Sequence, residues 1–155
     1  MSRAVIIPLI IACALFMENI DATVITTSLP AMARDLHQDP ISLKMALTAY
    51  VVGLGIFIPI CGWVSDRFGA RNVFRTAIGI FMAGSILCAL SFSLPTFVFA
   101  RFLQGVGGAM MVPVGRLVIF RAVPKHDLVK AIGYLTMPAL LGPVIGPPLG
   151  GAITA

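Results

Sequence analysis

The chain contains very little charge. Only 11% of its 155 residues are Asp, Glu, Lys or Arg, and only six residues are acidic, whereas about 25% of the residues in an average soluble domain are charged. Hydrophobic residues make up 59% of the sequence, and the mean hydropathy is +1.02. This composition argues against a soluble globular fold and indicates a protein that lies in a membrane.

The sequence also lacks the residue sets of most enzymes and metal proteins. Its three cysteines, Cys13, Cys61 and Cys88, occur singly, without the paired spacing of a metal site or a disulfide framework. His37 and His126 lie in polar connections with no ligand set beside them. No nucleophile with a matching base and no phosphate-binding glycine loop is visible. We therefore expect neither enzymatic activity nor a cofactor or metal.

Long apolar segments alternate with short polar connections. Stretches free of charge run through Met45–Ser65, Thr76–Ala100 and Ala131–Ala155, and each reaches the length of about 20 residues that crosses hydrocarbon. With two further apolar segments, the sequence predicts an all-α, polytopic membrane bundle. The five predicted spans are residues 5–29, 43–63, 74–94, 97–120 and 131–155. Because the last span has no polar flank, we expect a truncated N-terminal bundle whose other half lies further along a longer chain.

The basic residues predict the orientation of these spans, because short cytoplasmic loops are enriched in Lys and Arg. With the N-terminus in the cytoplasm, the outer side holds only Arg34 and Lys44. The inner side then holds Arg3, Arg67, Arg71, Arg75, Arg116, Arg121, Lys125 and Lys130. Topology and attraction to anionic lipid explain the formal charge of +5. The charge therefore does not call for nucleic acid as a partner.

Two acids lie inside the first apolar segment. Glu18 and Asp21 are three residues apart, so they project from one side of a helix. An ionised acid near the centre of a span costs roughly 2.5 kcal/mol or more unless it pairs, faces a wet cavity or takes up a proton. Low dielectric and a second nearby acid both favour proton uptake. The pair therefore predicts a transport pathway or proton relay, the alternative being an ion pair that only holds helices together.

A charged segment after the second span carries the first family resemblance. It reads Gly62-Trp63-Val64-Ser65-Asp66-Arg67-Phe68-Gly69-Ala70-Arg71, and we expect a tight turn in which Gly69 adopts backbone angles that other residues resist. An ordinary basic loop on the inner side would also look like this. The segment resembles the signature loop between the second and third helices of the major facilitator superfamily. That resemblance implies a conformational gating role for Gly62, Asp66, Arg67, Gly69 and Arg71.

Three more segments resemble the same superfamily, in its order, and are similar to its drug:proton antiporter group with fourteen predicted helices. Residues 20–30 resemble the first-helix signature of that group, although Thr26 stands where the group usually has Asn. Residues 101–109 resemble the fourth-helix motif, and residues 142–151 resemble the antiporter motif of helix five. Residues 108–117 are similar to multidrug exporters of enteric bacteria. The resemblance covers nearly the whole chain.

Arg101 and Gln104 stand out in the fourth span. They lie on one face of the predicted helix, three residues apart. The resemblance links the arginine to proton coupling, in which an acceptor across the bundle would stabilise the guanidinium and respond to loading of a proton. The alternative is that Arg101 extends to the outer interface, as long basic side chains do near the ends of spans.

The fifth span combines glycine and proline. Gly142, Gly146 and Gly150 recur every four residues, which predicts a smooth stripe against which another helix packs closely. The span also contains several prolines, each of which removes a backbone donor and favours bending. A kinked packing helix without a mechanistic role would show the same pattern. The resemblance assigns Gly142, Gly146, Pro147, Gly150 and Gly151 to an antiporter motif.

The resemblance implies a drug:proton antiporter of the bacterial inner membrane that works by alternating access and is driven by the proton gradient. Its expected partners are the lipid bilayer, protons, a small amphipathic or cationic substrate and the other half of the same chain. Two alternatives stay open. One is a superfamily symporter or uniporter for a sugar or small metabolite, and the other is a structural or channel subunit that transports nothing.

Overall fold

The computed structural model describes residues 3–154. For Arg3, Ala4 and Thr154 it describes the backbone but not the side chain. Six α-helices follow one another, with a 3-10 turn at Lys125–Asp127 before the last. They are α1 Arg3–Asp35, α2 Pro40–Phe57, α3 Cys61–Phe68, α4 Ala70–Ala89, α5 Leu94–Ala122 and α6 Leu128–Thr154. Residues 3–154 contain no strand, which confirms the predicted all-α class. Ala155, the last residue of the predicted fifth span, lies outside the described residues.

Five of these helices, all except α3, are long and apolar enough to cross a membrane. Each has at least 18 residues, and its most apolar stretch contains at most two charged residues. Since about 20 such residues cross the hydrocarbon core, the helices confirm the expected number of about five spans. The protein is therefore an integral membrane protein that crosses the bilayer several times.

The second apolar segment differs from the predicted span over residues 43–63. Helix α2 ends at Phe57, and a separate helix, α3, begins at Cys61. Pro59 lies in the break and has no N–H to donate to a helical hydrogen bond. The amides of Ile60 and Cys61 instead donate to carbonyls three residues back, at 3.2 and 3.3 Å. The proline therefore ends the helix earlier than apolar length alone predicts.

The charged segment from Gly62 to Arg71 is also more helical than predicted. It continues α3 as far as Phe68, and α4 begins at Ala70. The turn is confined to Gly69, which has a φ of +83° and donates its N–H to the carbonyl of Ser65 at 3.0 Å. Side chains are strained at such a φ, so the structure confirms the expected backbone role of this glycine.

The connection between α1 and α2 is short and capped at both ends. His37 follows α1 with a φ of +49°, and the amide of Gln38 donates to the carbonyl of Ala33 at 3.0 Å. This bond closes the helix as in a Schellman motif, with histidine at the position that usually holds glycine. Asp39 then accepts from the amide of Ile41 and caps α2, which begins with a proline.

The chain divides into two compact units. The first comprises the residues up to Ser28 together with those from Gly115 onward, and the second comprises Leu29–Val114. Small and aliphatic side chains form the interior of the first unit, including Ala12, Ile119 and Ala131. In the second unit Leu43, Phe81 and Phe97 are fully buried, and so are three polar side chains, Ser65, Arg101 and Gln104.

Candidate functional site

Arg101 is the largest fully buried side chain among the described residues. It lies on α5, in the second unit, and only 1% of its surface is exposed. A side chain buried to this extent does not extend to the membrane interface, so the structure argues against the snorkelling alternative. Because a guanidinium stays charged inside a protein, its surroundings must supply hydrogen-bond acceptors or an electron-rich surface.

Gln104 supplies one acceptor and connects Arg101 to a second helix. The Arg101 Nη1 donates to Gln104 Oε1 at 2.5 Å, and Gln104 Nε2 donates to the hydroxyl of Ser85 on α4 at 2.6 Å. The thiol of Cys88, one turn after Ser85, also donates to Gln104 Oε1, at 3.4 Å. Gln104 is itself 0% exposed. One buried amide therefore joins α5 to α4 and orients the guanidinium.

Tyr50 on α2 supplies the electron-rich surface. The Arg101 Cζ lies 4.6 Å from the centroid of the tyrosine ring, which is within the range of a cation–π interaction. The face of an aromatic ring carries partial negative charge. Arg101 is therefore held between an aromatic ring on α2 and an amide on its own helix, and the amide is in turn bound to α4.

Glycines bring these three helices close enough for the contacts to form. A Cβ placed on Gly53 of α2 would lie 2.8 Å from the carbonyl oxygen of Phe102, and one placed on Gly105 of α5 would meet the carbonyl of Tyr50. A Cβ on Gly84 of α4 would lie 2.5 Å from Cγ of Gln104. Each glycine thus permits backbone contact that a side chain would prevent. The polar cluster depends on the packing of α2 and α4 against α5.

The sequence predicted Arg101 and Gln104 but missed the partners Tyr50, Ser85 and Cys88. These three residues lie in segments without charge, where a lone hydroxyl, thiol or phenol is common. Their shared feature in the sequence is the presence of glycine near each of them, at Gly53 and Gly84. Polar residues beside helix-packing glycines are the signal that would have singled them out.

Glu18 and Asp21 lie on α1 in the first unit, and both are partly exposed. The structure places them three residues apart on one continuous helix, as predicted. Thr26, which stands where the resembling group usually has Asn, donates to the carbonyls of Thr23 and Ala22 at 2.8 and 3.2 Å. Its hydroxyl is therefore satisfied within α1. No cluster of three His, Cys, Asp or Glu side chains that could hold a metal occurs in the part of the chain that the structure describes.

The glycine stripe of α6 packs against a polar row on α1. A Cβ on Gly142 would lie 2.6 Å from Cβ of Asn19, one on Gly146 would lie 2.5 Å from Cβ of Thr23, and one on Gly150 would meet Thr27 Oγ1. Residue numbers increase in the same direction along both rows, so α1 and α6 run parallel here. We call these three pairs the glycine seam. The sequence predicted the stripe and missed the polar row opposite it.

The polar side chains of the glycine seam bond back to their own helix. Asn19 Nδ2 donates to the carbonyl of Leu15 at 2.8 Å, and Thr23 Oγ1 donates to the carbonyl of Asn19 at 2.5 Å. Thr27 Oγ1 donates to the carbonyl of Val24 at 2.9 Å. Such bonds satisfy a hydroxyl within a span. They also keep the side chains close to α1, which lets the glycines of α6 approach.

The other motif residues lie on α3, α4 and α6. Asp66 and Arg67 lie on α3, Arg71 lies on α4, and all three are exposed. A Cβ on Gly62 or Gly151 would meet nothing within 4 Å, so packing within the described residues does not explain glycine at either position. Pro147 lies inside α6, which stays helical through four prolines.

Comparison with known families identifies the class of protein. A family model described as Major Facilitator Superfamily matches residues 11–155, which is nearly the whole chain. The protein therefore belongs to the major facilitator superfamily of membrane transporters, as the motifs predicted.

Individual relatives within that superfamily are similar over most of the chain. It is 45% identical over 144 residues to the "Putative multidrug resistance protein MdtD" of Klebsiella pneumoniae subsp. pneumoniae. It is 44% identical, again over 144 residues, to proteins of the same name from Salmonella paratyphi B and Escherichia coli O6:H1. Each alignment covers 93% of this chain and 31% of the relative. The chain thus spans about a third of the length of these curated relatives.

Proposed function

We propose that this chain is part of a proton-coupled multidrug efflux transporter, which exchanges protons for a small amphipathic or cationic compound by alternating access. Support comes from the superfamily membership and from the relatives named multidrug resistance proteins. The cycle uses the proton gradient as its energy source, with no cofactor and no enzymatic step. The five spans of this chain supply one part of that cycle, since alternating access requires a second group of helices that moves against the first.

The observation that carries the proposal is the buried Arg101 in a membrane-spanning helix. Ionisable side chains at such positions are costly, and by default they mark a pathway or a proton relay. Arg101 is also fixed by Gln104 and Tyr50 rather than being left to reach the interface. We assign Arg101 and Gln104 to proton coupling, with the amide as the positioning group.

In this proposal the two acids of α1 bind the proton and the cationic group of the substrate. Asp21 is the principal carboxylate, because it lies in the segment that matches the first-helix signature of the antiporter group. Glu18 is an accessory acid outside that signature. Both side chains are partly exposed within a span, which is consistent with access to a wet cavity. Binding of a proton and binding of a cation then exclude each other at one carboxylate.

Two further regions serve conformational change in the proposal. Gly62, Asp66, Arg67, Gly69 and Arg71 form a gating segment around the turn at Gly69, and the antiporter motif of α6 acts as a packing surface through Gly142, Gly146 and Gly150. Pro147 and Gly151 belong to the same motif. The support is the positive φ of Gly69 and the tight glycine seam.

The proposed setting is the bacterial inner membrane, with the N-terminus in the cytoplasm. This orientation puts eight of the ten basic residues outside the Arg101 cluster on the cytoplasmic side, as the distribution of Lys and Arg in short loops favours. Protons then enter from outside while the substrate leaves. Partners are the bilayer, protons, the substrate and the second helical group of the transporter.

Proton release in inverted membrane vesicles tests the proposal. Vesicles containing the full-length protein would be acidified inside, and the lipophilic cation ethidium would be added while a fluorescent pH probe reports the gradient. We expect ethidium to dissipate the gradient with the wild type, to do so weakly with Glu18→Gln and not to do so with Asp21→Asn. Asp35→Asn is the matched control, because Asp35 is an exposed acid at the end of the same helix.

The same assay separates the alternatives. Proton movement in the same direction as a sugar or metabolite would indicate a symporter, and substrate movement without protons would indicate a uniporter. Ion flux that does not saturate, or no flux of any kind, would point to a channel or structural subunit. Any of these results, or full activity of Asp21→Asn, would overturn the proposal.

A further inference from the structure

A groove on the surface of the first unit has a basic residue on an otherwise mostly apolar wall. It lies between the last turns of α5 and the first turns of α6 and encloses about 290 Å³. Its lining residues are Arg116, Ile119, Phe120, Ile132, Leu135 and Thr136. Both helices are membrane spans. The groove therefore lies between two helices that are long and apolar enough to cross the membrane.

Arg116 is exposed at this groove and lies within a membrane span. It precedes the end of α5 at Ala122 by six residues, or about 9 Å along the helix axis. A guanidinium so close to the end of a spanning helix can reach the polar interface while its stem packs on apolar residues. The phosphate of a phospholipid is an anion found at this depth.

The sequence that contains the groove has more basic than acidic residues. Residues 115–155 contain the basic residues Arg116, Arg121, Lys125 and Lys130 and one acid, Asp127, a formal charge of +3. Asp127 lies 3.2 Å from His126, with its Oδ2 against the imidazole Nε2. An excess of positive charge favours a lipid with net negative charge over a zwitterionic one, whose own cation would be repelled.

We propose that this groove binds one anionic phospholipid, with its phosphate on Arg116 and an acyl chain along the exposed side chains of Phe120 and Ile132. Basic pockets between spans suit anionic headgroups, and each basic residue near a membrane surface strengthens the attraction about fivefold. The apolar wall of the groove packs against the acyl chain of the lipid by hydrophobic contact. This site is separate from the transport residues and does not depend on the proposed transport activity.

Native mass spectrometry of the full-length protein tests this site. The probes are phosphatidylglycerol and phosphatidylcholine with identical acyl chains, added at equal concentration to protein in detergent. We expect the wild type to retain the first phosphatidylglycerol molecule at least fivefold more strongly than phosphatidylcholine. Arg116→Gln should lower that preference about fivefold, and Arg116→Lys should preserve most of it, because the charge remains.

A second variant tests the groove independently of charge. Thr136→Trp places a bulky ring in the groove and should weaken retention of both lipids while all basic residues remain. Arg75→Gln is the control, since it removes an exposed basic residue that does not line the groove. Thermal melting in detergent checks that each variant is folded.

The proposal fails if Arg116→Gln and Thr136→Trp bind lipid like the wild type, which would also be the result if other helices of the full-length protein cover the groove. It fails equally if Arg75→Gln lowers the preference as much as Arg116→Gln does. That second result would mean diffuse attraction between a basic surface and anionic lipid.

Discussion

The guanidinium of Arg101 lies over the ring of Tyr50, with its Cζ 4.6 Å from the ring centroid. The two residues belong to different helices, α5 and α2, and the arginine is fully buried. A cation–π contact is stronger away from water than at an exposed surface. Tyr50 therefore supports both the position of the charge and the packing of α2 against α5.

Replacing the ring of Tyr50 tests this support. We expect Tyr50→Leu to lower the stability of the protein in detergent by about 2 kcal/mol, which is the value of a desolvated cation–π contact. Tyr50→Phe is the matched control, because it keeps the aromatic face. Thermal melting followed by tryptophan fluorescence measures both variants. Equal melting temperatures for the Leu and Phe variants would show that the ring contributes nothing through its face.

Adding one methyl group at Gly84 should disturb the buried amide of Gln104. The new Cβ would lie 2.5 Å from Gln104 Cγ and 3.1 Å from the carbonyl oxygen of Ala100, and overpacking of this kind costs about 1 to 3 kcal/mol. We expect Gly84→Ala to lower the melting temperature and to reduce proton-coupled transport.

Gly79 offers a control on the same helix. A Cβ there would meet nothing within 4 Å, and alanine favours a helix over glycine by about 1 kcal/mol. Gly79→Ala should therefore melt at or above the temperature of the wild type. If Gly84→Ala and Gly79→Ala have the same melting temperature, the close approach of α4 to Gln104 does not contribute to stability.

The glycine seam predicts a compensating pair of substitutions. Gly150→Ala should destabilise the protein because its Cβ would collide with Thr27 Oγ1, and Thr27→Ala removes that atom. We expect the double variant to be more stable than the sum of the single effects by about 1 kcal/mol or more, within the usual range for residues in contact. A double-mutant cycle of melting in detergent measures this coupling.

Gly133→Ala is the control for the seam, because a Cβ at that position of α6 has open space around it. It should show no coupling with Thr27→Ala. Additive effects of the Gly150 and Thr27 substitutions on stability would mean that α1 and α6 are not in contact at these two residues.

The apolar helices, the turn at Gly69 and the glycine stripe were all predictable from the sequence, because each depends on a local property. Apolar length predicts a span, and a glycine between charged residues predicts a turn. The end of α2 was predictable as well, since Pro59 is visible in the sequence and has no N–H with which to continue the helical hydrogen bonds. Apolar length alone predicts a span that continues to residue 63, whereas α2 ends at Phe57.

The partners of the buried charge were not predictable in this way. Tyr50 precedes Ser85 by 35 residues, and Ser85 precedes Arg101 by 16. Only the packing of α2 and α4 against α5 brings them together. The same holds for Asn19, Thr23 and Thr27, whose positions match the glycines of α6 through a parallel pairing of distant helices. Sequence spacing gives the face of each helix but not which helix it meets.

The glycine seam is repetitive in both helices, and this limits what it can specify. Asn19, Thr23 and Thr27 are four residues apart, as are Gly142, Gly146 and Gly150. An axial shift of α6 by four residues, about 6 Å, would set Gly146 opposite Asn19 and Gly150 opposite Thr23, but it would bring position 154, a threonine, opposite Thr27. Two of the three pairs survive this shift, so within the seam only the third pair, Gly150 with Thr27, distinguishes the two axial positions of α6.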